Sequence, residues 1–425
     1  MDALMRNLTY VGALLARPAL FTLYFLSGFV PRRSDLWVFG SWGGHRFADN
    51  AASLFLHCQA ELSGSVRLVW ISRDGNIVRK LRDEGYEAHR VWSARGLACC
   101  LRAGVYFFDN FCKDVNYWTS RSARKVNLWS GVPLKAFERD IDNPRNRYYR
   151  LFHGSPPERL FLSIMMPWHV DRPDLIIATS SENAQITRRA FDVQDDAVAI
   201  TGYPRNDILF EDSGNGQQAR QGWPEPFRHA VDAGRFVFLY LPTYRDSAKP
   251  FVDVDWADVD RLMERHDAIF FLKLHPDDRG SLDATGARVI ELPQGIDIYG
   301  LLPATDALIS DYSSIIFDYM MLERPIIHYL PDLDEFRASS RSLIFDPAEI
   351  AVGPVCESGV TLTEALSAVL EGVQAPLDTQ TRWFEIRRRM NLYCDGRSGR
   401  RVLAEITRRF PELRTVRHEE PDLGS

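Results

Sequence analysis

The chain lacks the features that would assign several common functions at sight. Its six cysteines (Cys58, Cys99, Cys100, Cys112, Cys356, Cys394) form no C-x-x-C pair and no zinc-finger spacing, which fits free thiols in a reducing compartment and no metal site built from them. There is no excess of basic residues. With 51 Lys and Arg against 57 Asp and Glu the formal net charge is -6, so nucleic acid is not expected as the main partner. Internal repeats and low-complexity tracts are absent, which excludes solenoids and fibrous classes. A clean membrane-spanning run is absent too. Leu8 to Pro31 is strongly apolar, but Arg17-Pro18 sits in its middle and Arg32-Arg33 follows it. A span needs about 20 apolar residues, and a central arginine costs several kcal/mol. The segment reads instead as a monotopic element lying in the inner-leaflet interface with its arginines reaching anionic headgroups, the alternative being a pair of buried or mutually packed helices broken at Pro18.

What is present is a chain of 425 residues, 45% hydrophobic and 25% charged, long enough for two domains with separate cores. From Asp35 onward short apolar runs alternate with helical stretches. Strand-like runs fall at Leu36–Gly40, Val66–Ile71, Tyr86–Val91, Val105–Phe108, Lys125–Trp129, Leu175–Thr179 and Val198–Thr201. After a polar stretch at Asp212–Pro226 the same logic resumes at Phe236–Leu241, Ala268–Leu274, Val289–Glu291, Ala307–Ser310 and Ile326–Tyr329. Such alternation predicts parallel, doubly wound sheets: an apolar amino-terminal segment over 1–34, an α/β domain over 35–215, a second over 225–410, and a disordered tail over 411–425. Strand ends of the two domains are expected to face a common cleft.

The polar residues that packing does not require lie just after strands. Ser41 to Arg46, with His45, follows the first, and Asp49-Asn50 could cap the next helix. Trp129 to Lys135 follows another, where Gly131 permits a tight turn and Lys135 adds a cation. In Gly202 to Asp207 a planar Arg205 after Pro204 suits an anion or a structural pairing with Asp207. In the second half, Thr243 and Arg245 follow one strand and His275 the next. Asp311-Tyr312-Ser313-Ser314 enters a helix expected over Ile315 to Leu322, where unpaired N–H groups and two hydroxyls could receive a phosphate or simply cap the helix.

Taken in order, WSGVPLK, GYPRND, LPTYRD, KLHP and DYSSIIFDYMMLERPIIHYLPDLDEF resemble the CDP-glycerol glycerophosphotransferase family of teichoic acid and capsule polymer synthesis, over about Phe39 to Arg401 and including Asp395-Gly396. The resemblance implies a GT-B-like pair of Rossmann-type domains, a membrane-associated amino terminus at the cytoplasmic face of the inner membrane, and transfer of glycerol or ribitol phosphate from a CDP-activated donor. The acceptor would be a hydroxyl of a lipid-linked or saccharide polymer, and CMP would leave. A nucleotide-sugar glycosyltransferase of the same fold and a catalytically silent nucleotide-binding subunit are the alternatives. The resemblance places His275, Arg245, Asp311, Ser313 and Ser314 at the donor's pyrophosphate, with Thr243, Asp318 and Arg205 beside them. No cofactor is implied and metal dependence is left open. One departure stands out. The family pattern has His after the Trp of the first loop (WHGTPLK), taken as the base that activates the acceptor, and this chain has Ser130. Near neutral pH a serine hydroxyl accepts no proton, so His45, Asp49 and Asp109 are the candidate substitutes.

Overall fold

A computed structural model describes residues 2–62, 64–211, 222–243, 254–274, 286–333 and 342–413. His275 and Arg245 lie outside the described residues, as do the tail from 414 onward and most of the polar stretch after Asp212. The chain divides into two compact units, one of Met1–Ser130, Glu138–Arg205 and Arg397–Ser425, the other of Gly131–Phe137 and Asn206–Gly396. The division differs from the expected linear one in two places. Gly131 and Lys135 fall with the second unit, and the last helix, Ser398–Arg409, closes on the first.

Among its described residues the first unit carries a seven-stranded sheet: β1 (Arg33–Gly40), β2 (Arg67–Ser72), β3 (Ala88–Arg90), β4 (Ala103–Phe108), β5 (Arg124–Asn127), β6 (Leu175–Ala178) and β7 (Val198–Ile200). The order is β3-β2-β1-β4-β5-β6-β7, and every paired ladder is parallel. The central strands are apolar throughout because both faces are covered: Leu36, Trp37, Val38 and Phe39 are each at most 1% exposed. Since β2 and β3 lie on one side of β1 and β4 on the other, the chain reverses direction across the sheet between β1 and β4. Loops at the carboxyl ends of such a pair diverge and leave a crevice.

The second unit repeats this plan with β8 (Phe236–Leu241), β9 (Ala268–Leu272), β10 (Val289–Glu291), β11 (Ala307–Ser310), β12 (Ile326–Tyr329) and β13 (Val355–Cys356), in the order β10-β9-β8-β11-β12-β13. All its ladders are parallel as well. Its reversal lies between β8 and β11. Phe238, Tyr240, Phe270, Ile309 and Ile327 join residues such as Leu362 in its core.

The amino-terminal segment packs on the first unit, as the packed-helix alternative has it, but without the break at Pro18. Asp2–Ser27 is one helix, α1, running through Pro18. A proline inside a helix costs about 3 kcal/mol, and tertiary burial offsets it. Leu20, Phe21, Leu23 and Tyr24 pack on the first unit's core, with Tyr24 stacked on Tyr117 at 4.8 Å and Phe21 edge-on to Trp118 at 5.3 Å. The arginines expected at lipid headgroups are held by protein. Arg17 donates to the Met165 carbonyl at 2.6 Å and lies over Trp118 and Trp168, Arg32 donates to carbonyls of Ser27, Cys100 and Thr119, and Arg33 pairs with Asp35. Among the described residues no helix is long and apolar enough to cross a membrane.

Candidate active site

In the first unit, polar groups gather where β1 and β4 part. Gly40 ends β1 so close to the Asp114 backbone that a Cβ there would stand 2.5 Å from the Asp114 carbonyl oxygen. The turn that follows passes through left-handed backbone at Trp42 (φ 47), Gly43 (φ 66) and Gly44 (φ 82). For Trp42 that conformation is strained, as it is for Asp49 (φ 65) and for Trp129 (φ 51) after β5. Three strained non-glycine residues at the carboxyl end of one sheet mark a built site rather than ordinary turns.

Hydrogen bonds hold that end together. Ser41 Oγ donates to Asp109 Oδ2 at 2.5 Å, and the Ala51 N–H donates to Asp109 Oδ1 at 2.8 Å. Asp114, which sequence reading did not single out, accepts from Gly43 N–H at 2.8 Å and from Asn110 N–H at 2.9 Å, tying the two loops. Asn50 was also missed as more than a cap. Its side-chain amide donates to the Leu128 and Trp129 carbonyls, and its oxygen accepts from Arg205 N–H at 3.1 Å. Asp49 accepts from Arg205 Nη1 at 2.6 Å, and the same nitrogen donates to the Ser130 carbonyl at 2.7 Å. Arg205, 4% exposed, therefore serves to lock the loop bearing Ser130 rather than to offer an open guanidinium to a phosphate. Ser130 Oγ lies 3.5 Å from Asn110 Oδ1.

In the second unit the corresponding place lies after β8 and β11. Thr243 donates to Asp311 through its N–H, at 2.8 Å to Oδ2, and through its hydroxyl, at 2.5 Å to Oδ1. A buried carboxylate would repel a phosphate, so Asp311 acts by positioning Thr243 and the start of the next loop. Ser313 and Ser314 are half-buried. Ser314 stands at the amino end of the Ile315–Tyr319 helix and makes no side-chain capping bond, while Ser313 Oγ sits 3.5 Å from the Ile315 N–H. The helix is shorter than expected because Met320–Leu322 tighten into a 3-10 turn. Asp318 is fully buried, accepting from Asn206 Nδ2 at 2.8 Å and from the Tyr299 hydroxyl at 2.7 Å, so it fastens GYPRND's Asn206 rather than facing a ligand. Lys135 pairs across an antiparallel bridge with Leu343.

One group among the described residues has metal-ligand chemistry: Glu87, His89 and Cys99. The Arg67 guanidinium already occupies it, bonded to both Glu87 oxygens and 3.6 Å from Cys99 Sγ, and supplies the positive charge a metal would bring.

Residues 22–408 match the family model described as CDP-glycerol:poly(glycerophosphate) glycerophosphotransferase. The chain belongs to this family. Among its glycerophosphotransferase relatives is the teichoic acid glycerol-phosphate transferase of Staphylococcus aureus (strain NCTC 8325 / PS 47), 25% identical over 91% of this chain and 96% of the relative. The teichoic acid poly(glycerol phosphate) polymerase of Bacillus spizizenii (strain ATCC 23059 / NRRL B-14472 / W23) is 26% identical over 80% of this chain and 84% of its own length. The solved structure of the wall teichoic acid polymerase TagF shares the fold, with a TM-score of 0.72 at 21% identity over 97% of this chain and 98% of that one. A UDP-GlcNAc 2-epimerase from Neisseria meningitidis shares it more distantly, with a TM-score of 0.51 at 13% identity over 88% of this chain and 99% of its own.

Within this glycerophosphotransferase the three candidate bases differ sharply. Asp49 is held by Arg205. Asp109 is fully enclosed, and burial, reinforced by the nearby Asp49 charge, pushes its carboxyl well above the usual range. His45 is exposed on the turn after β1 and makes no side-chain hydrogen bond or ion pair among the described residues.

Proposed function

We propose that the protein transfers a polyol phosphate, glycerol phosphate or ribitol phosphate, from a CDP-activated donor to a hydroxyl of a surface-polymer acceptor such as a capsule, O-antigen or teichoic-acid-like chain. The observation that carries this is the family match over residues 22–408, supported by polar residues at the chain reversal of each sheet. In the reaction the acceptor oxygen attacks the donor's β-phosphorus, the bond from that phosphorus to the CMP oxygen breaks, and CMP leaves. The acceptor proton goes to His45, the open imidazole of the first unit, in place of the base missing at Ser130. The Ser313 and Ser314 hydroxyls, with His275 and Arg245, hold the donor's phosphates and steady the charge that builds on them. The last two are assigned from their motifs, KLHP and LPTYRD.

The acceptor reaction takes place at the cytoplasmic face of the inner membrane, with the protein bound peripherally. Exposed Leu15 (75%), Phe29 (72%) and Leu26 (55%) on and just after α1 support this, as does Leu160 (64%) on the Pro156–Met165 helix. Because Phe21 and Tyr24 pack against the first unit's core, removing α1 would also uncover that core, and Leu15→Glu with Phe29→Glu is the cleaner test. Loss of vesicle flotation is expected; unchanged flotation refutes membrane docking through this face. For the chemistry, purified protein is offered CDP-glycerol, CDP-ribitol and UDP-sugars with a polymer acceptor. Acceptor-dependent CMP release is expected. UDP release instead points to glycosyl transfer, and nucleotide binding without release points to a silent subunit.

A further inference from the structure

We infer that the Trp42 indole and the Arg46 guanidinium form a sugar-binding platform on the first unit, which takes a pyranose ring of the acceptor beside the loop that carries Ser130. The inference deepens the transfer reading and rests on it only in calling that sugar the acceptor's. Trp42 opens the turn after β1. Trp37 and Phe39 on the strand itself are fully buried, whereas Trp42 is 42% exposed. A lone exposed hydrophobe is ordinary. Trp42 differs in being held: its Nε1 donates to Asp49 Oδ2 at 3.2 Å, and the Arg46 guanidinium lies over the ring, 5.2 Å from its centre. The ring has no aromatic neighbour among the described residues, and Arg46, itself exposed, makes no hydrogen bond or ion pair among them. Bare indole and free guanidinium donors are thus presented together on a tethered side-chain pair, which lowers the cost of ordering them around a ligand.

The tether runs to the acceptor side. Asp49, which receives the indole N–H on Oδ2, receives Arg205 Nη1 on Oδ1 at 2.6 Å, and that nitrogen also donates to the Ser130 carbonyl at 2.7 Å. One carboxylate and one guanidinium therefore join the indole to the loop where the family pattern has its acceptor base. His45 lies against the same turn: a Cβ on Gly43 would stand 3.6 Å from its Cδ2. The chemistry of the patch selects its occupant. A pyranose carries C–H bonds on its faces, which settle on the electron-rich face of an indole, and hydroxyls around its rim, which accept from guanidinium N–H groups. A polyol phosphate chain is acyclic and offers no such face. A protein or lipid partner would bury more apolar surface than one ring, and the neighbours here, His45, Arg46 and Asp49, are polar. The acceptor therefore presents a saccharide at this end rather than polyol phosphate alone.

Saturation-transfer NMR on the full-length protein tests this, with methyl β-D-glucopyranoside and methyl N-acetyl-β-D-glucosaminide as cyclic probes and glycerol and sn-glycerol 3-phosphate as acyclic ones. Ring protons of at least one pyranoside should take up saturation strongly, and the acyclic probes should not. Trp42→Ala should lower the pyranoside signal about two- to ten-fold, the range that loss of an aromatic contact gives, and Arg46→Ala should lower it about two-fold. Trp42→Phe, which keeps a ring, should retain most of it. CDP-glycerol binding, followed calorimetrically, should be unchanged in all three variants, which shows them folded. Equal saturation of cyclic and acyclic probes, or a wild-type pyranoside signal in Trp42→Ala, overturns the platform, as does a loss in folded Trp42→Phe as complete as in Trp42→Ala. CMP release is scored separately. Its absence with Trp42-dependent pyranoside binding intact counts against the transfer reading and leaves the platform standing; acceptor-dependent release without pyranoside binding does the reverse.

Discussion

Thr243 donates both its N–H and its hydroxyl to Asp311, joining the ends of β8 and β11 where the second sheet reverses. The first unit has the same arrangement, Ser41 on Asp109 at the ends of β1 and β4. In each case a hydroxyl-bearing residue after one strand is fixed by a buried aspartate just past its neighbour, which holds two diverging loops at a set separation. Asp311→Asn should cost ~1.5–3 kcal/mol, the range for a hydrogen bond to a charged group. It should also raise the KM for the donor with little change in acceptor KM. Urea unfolding and initial-rate kinetics check both, and an unchanged donor KM would confine the pair to folding.

His45 carries the proton-transfer assignment on the acceptor side. General acid–base groups typically contribute about 10²–10⁴-fold, so His45→Ala should lower kcat within that range. As His45 is exposed, stability should stay within about 0.5 kcal/mol. Ser130→His in that background should return part of the lost rate if Ser130 stands where the family pattern has its base. A fully active His45→Ala removes His45 from the chemistry.

Arg205 and Asp49 form a buried pair, with side chains 4% and 7% exposed. Removing one partner strands the other's charge, so Arg205→Met or Asp49→Leu alone should cost about 3–5 kcal/mol. The double variant should lose clearly less than the sum of the two, as residues in contact couple. Additive losses in a double-mutant cycle would contradict the pairing.

His328 on β12 sets a pH dependence for the second unit. It is buried, and its Nε2 accepts from Val352 N–H at 3.2 Å, so burial pushes its pKa down to about 4 from 6.5. The unfolded chain takes up a proton near 6.5 while the folded chain does not. Stability is therefore whole above about pH 6.5 and falls as pH drops toward 4, by ~3 kcal/mol across that window. His328→Asn should flatten this part of the curve in urea titrations between pH 4 and 7. An unaltered slope would assign it to other groups.

Much of the fold is readable in the sequence because doubly wound sheets bury both faces of their central strands. β8, β10, β11 and β12 fall where the apolar runs put them, and β13, two residues long, leaves too little pattern to see. The break at Pro18 that the packed-helix alternative carries does not occur because packing against Tyr117 and Trp118 outweighs local propensity. Site residues were legible as loops after strands, but not their partners. Arg205 and Asp49 are 156 positions apart, and Asn206 and Asp318 are 112 apart, so only the fold reveals that one pair locks the Ser130 loop and the other anchors the second unit.

Transfer of phosphorus itself is the central claim, and the fate of the donor's β-phosphate tests it most directly. CDP-glycerol labelled at that phosphate is incubated with protein and acceptor, and the product linkage is read by phosphorus NMR. Label appearing in the acceptor as a phosphodiester, with unlabelled CMP released, is the predicted result. Label remaining on a released nucleoside diphosphate, with the organic group alone on the acceptor, would contradict it.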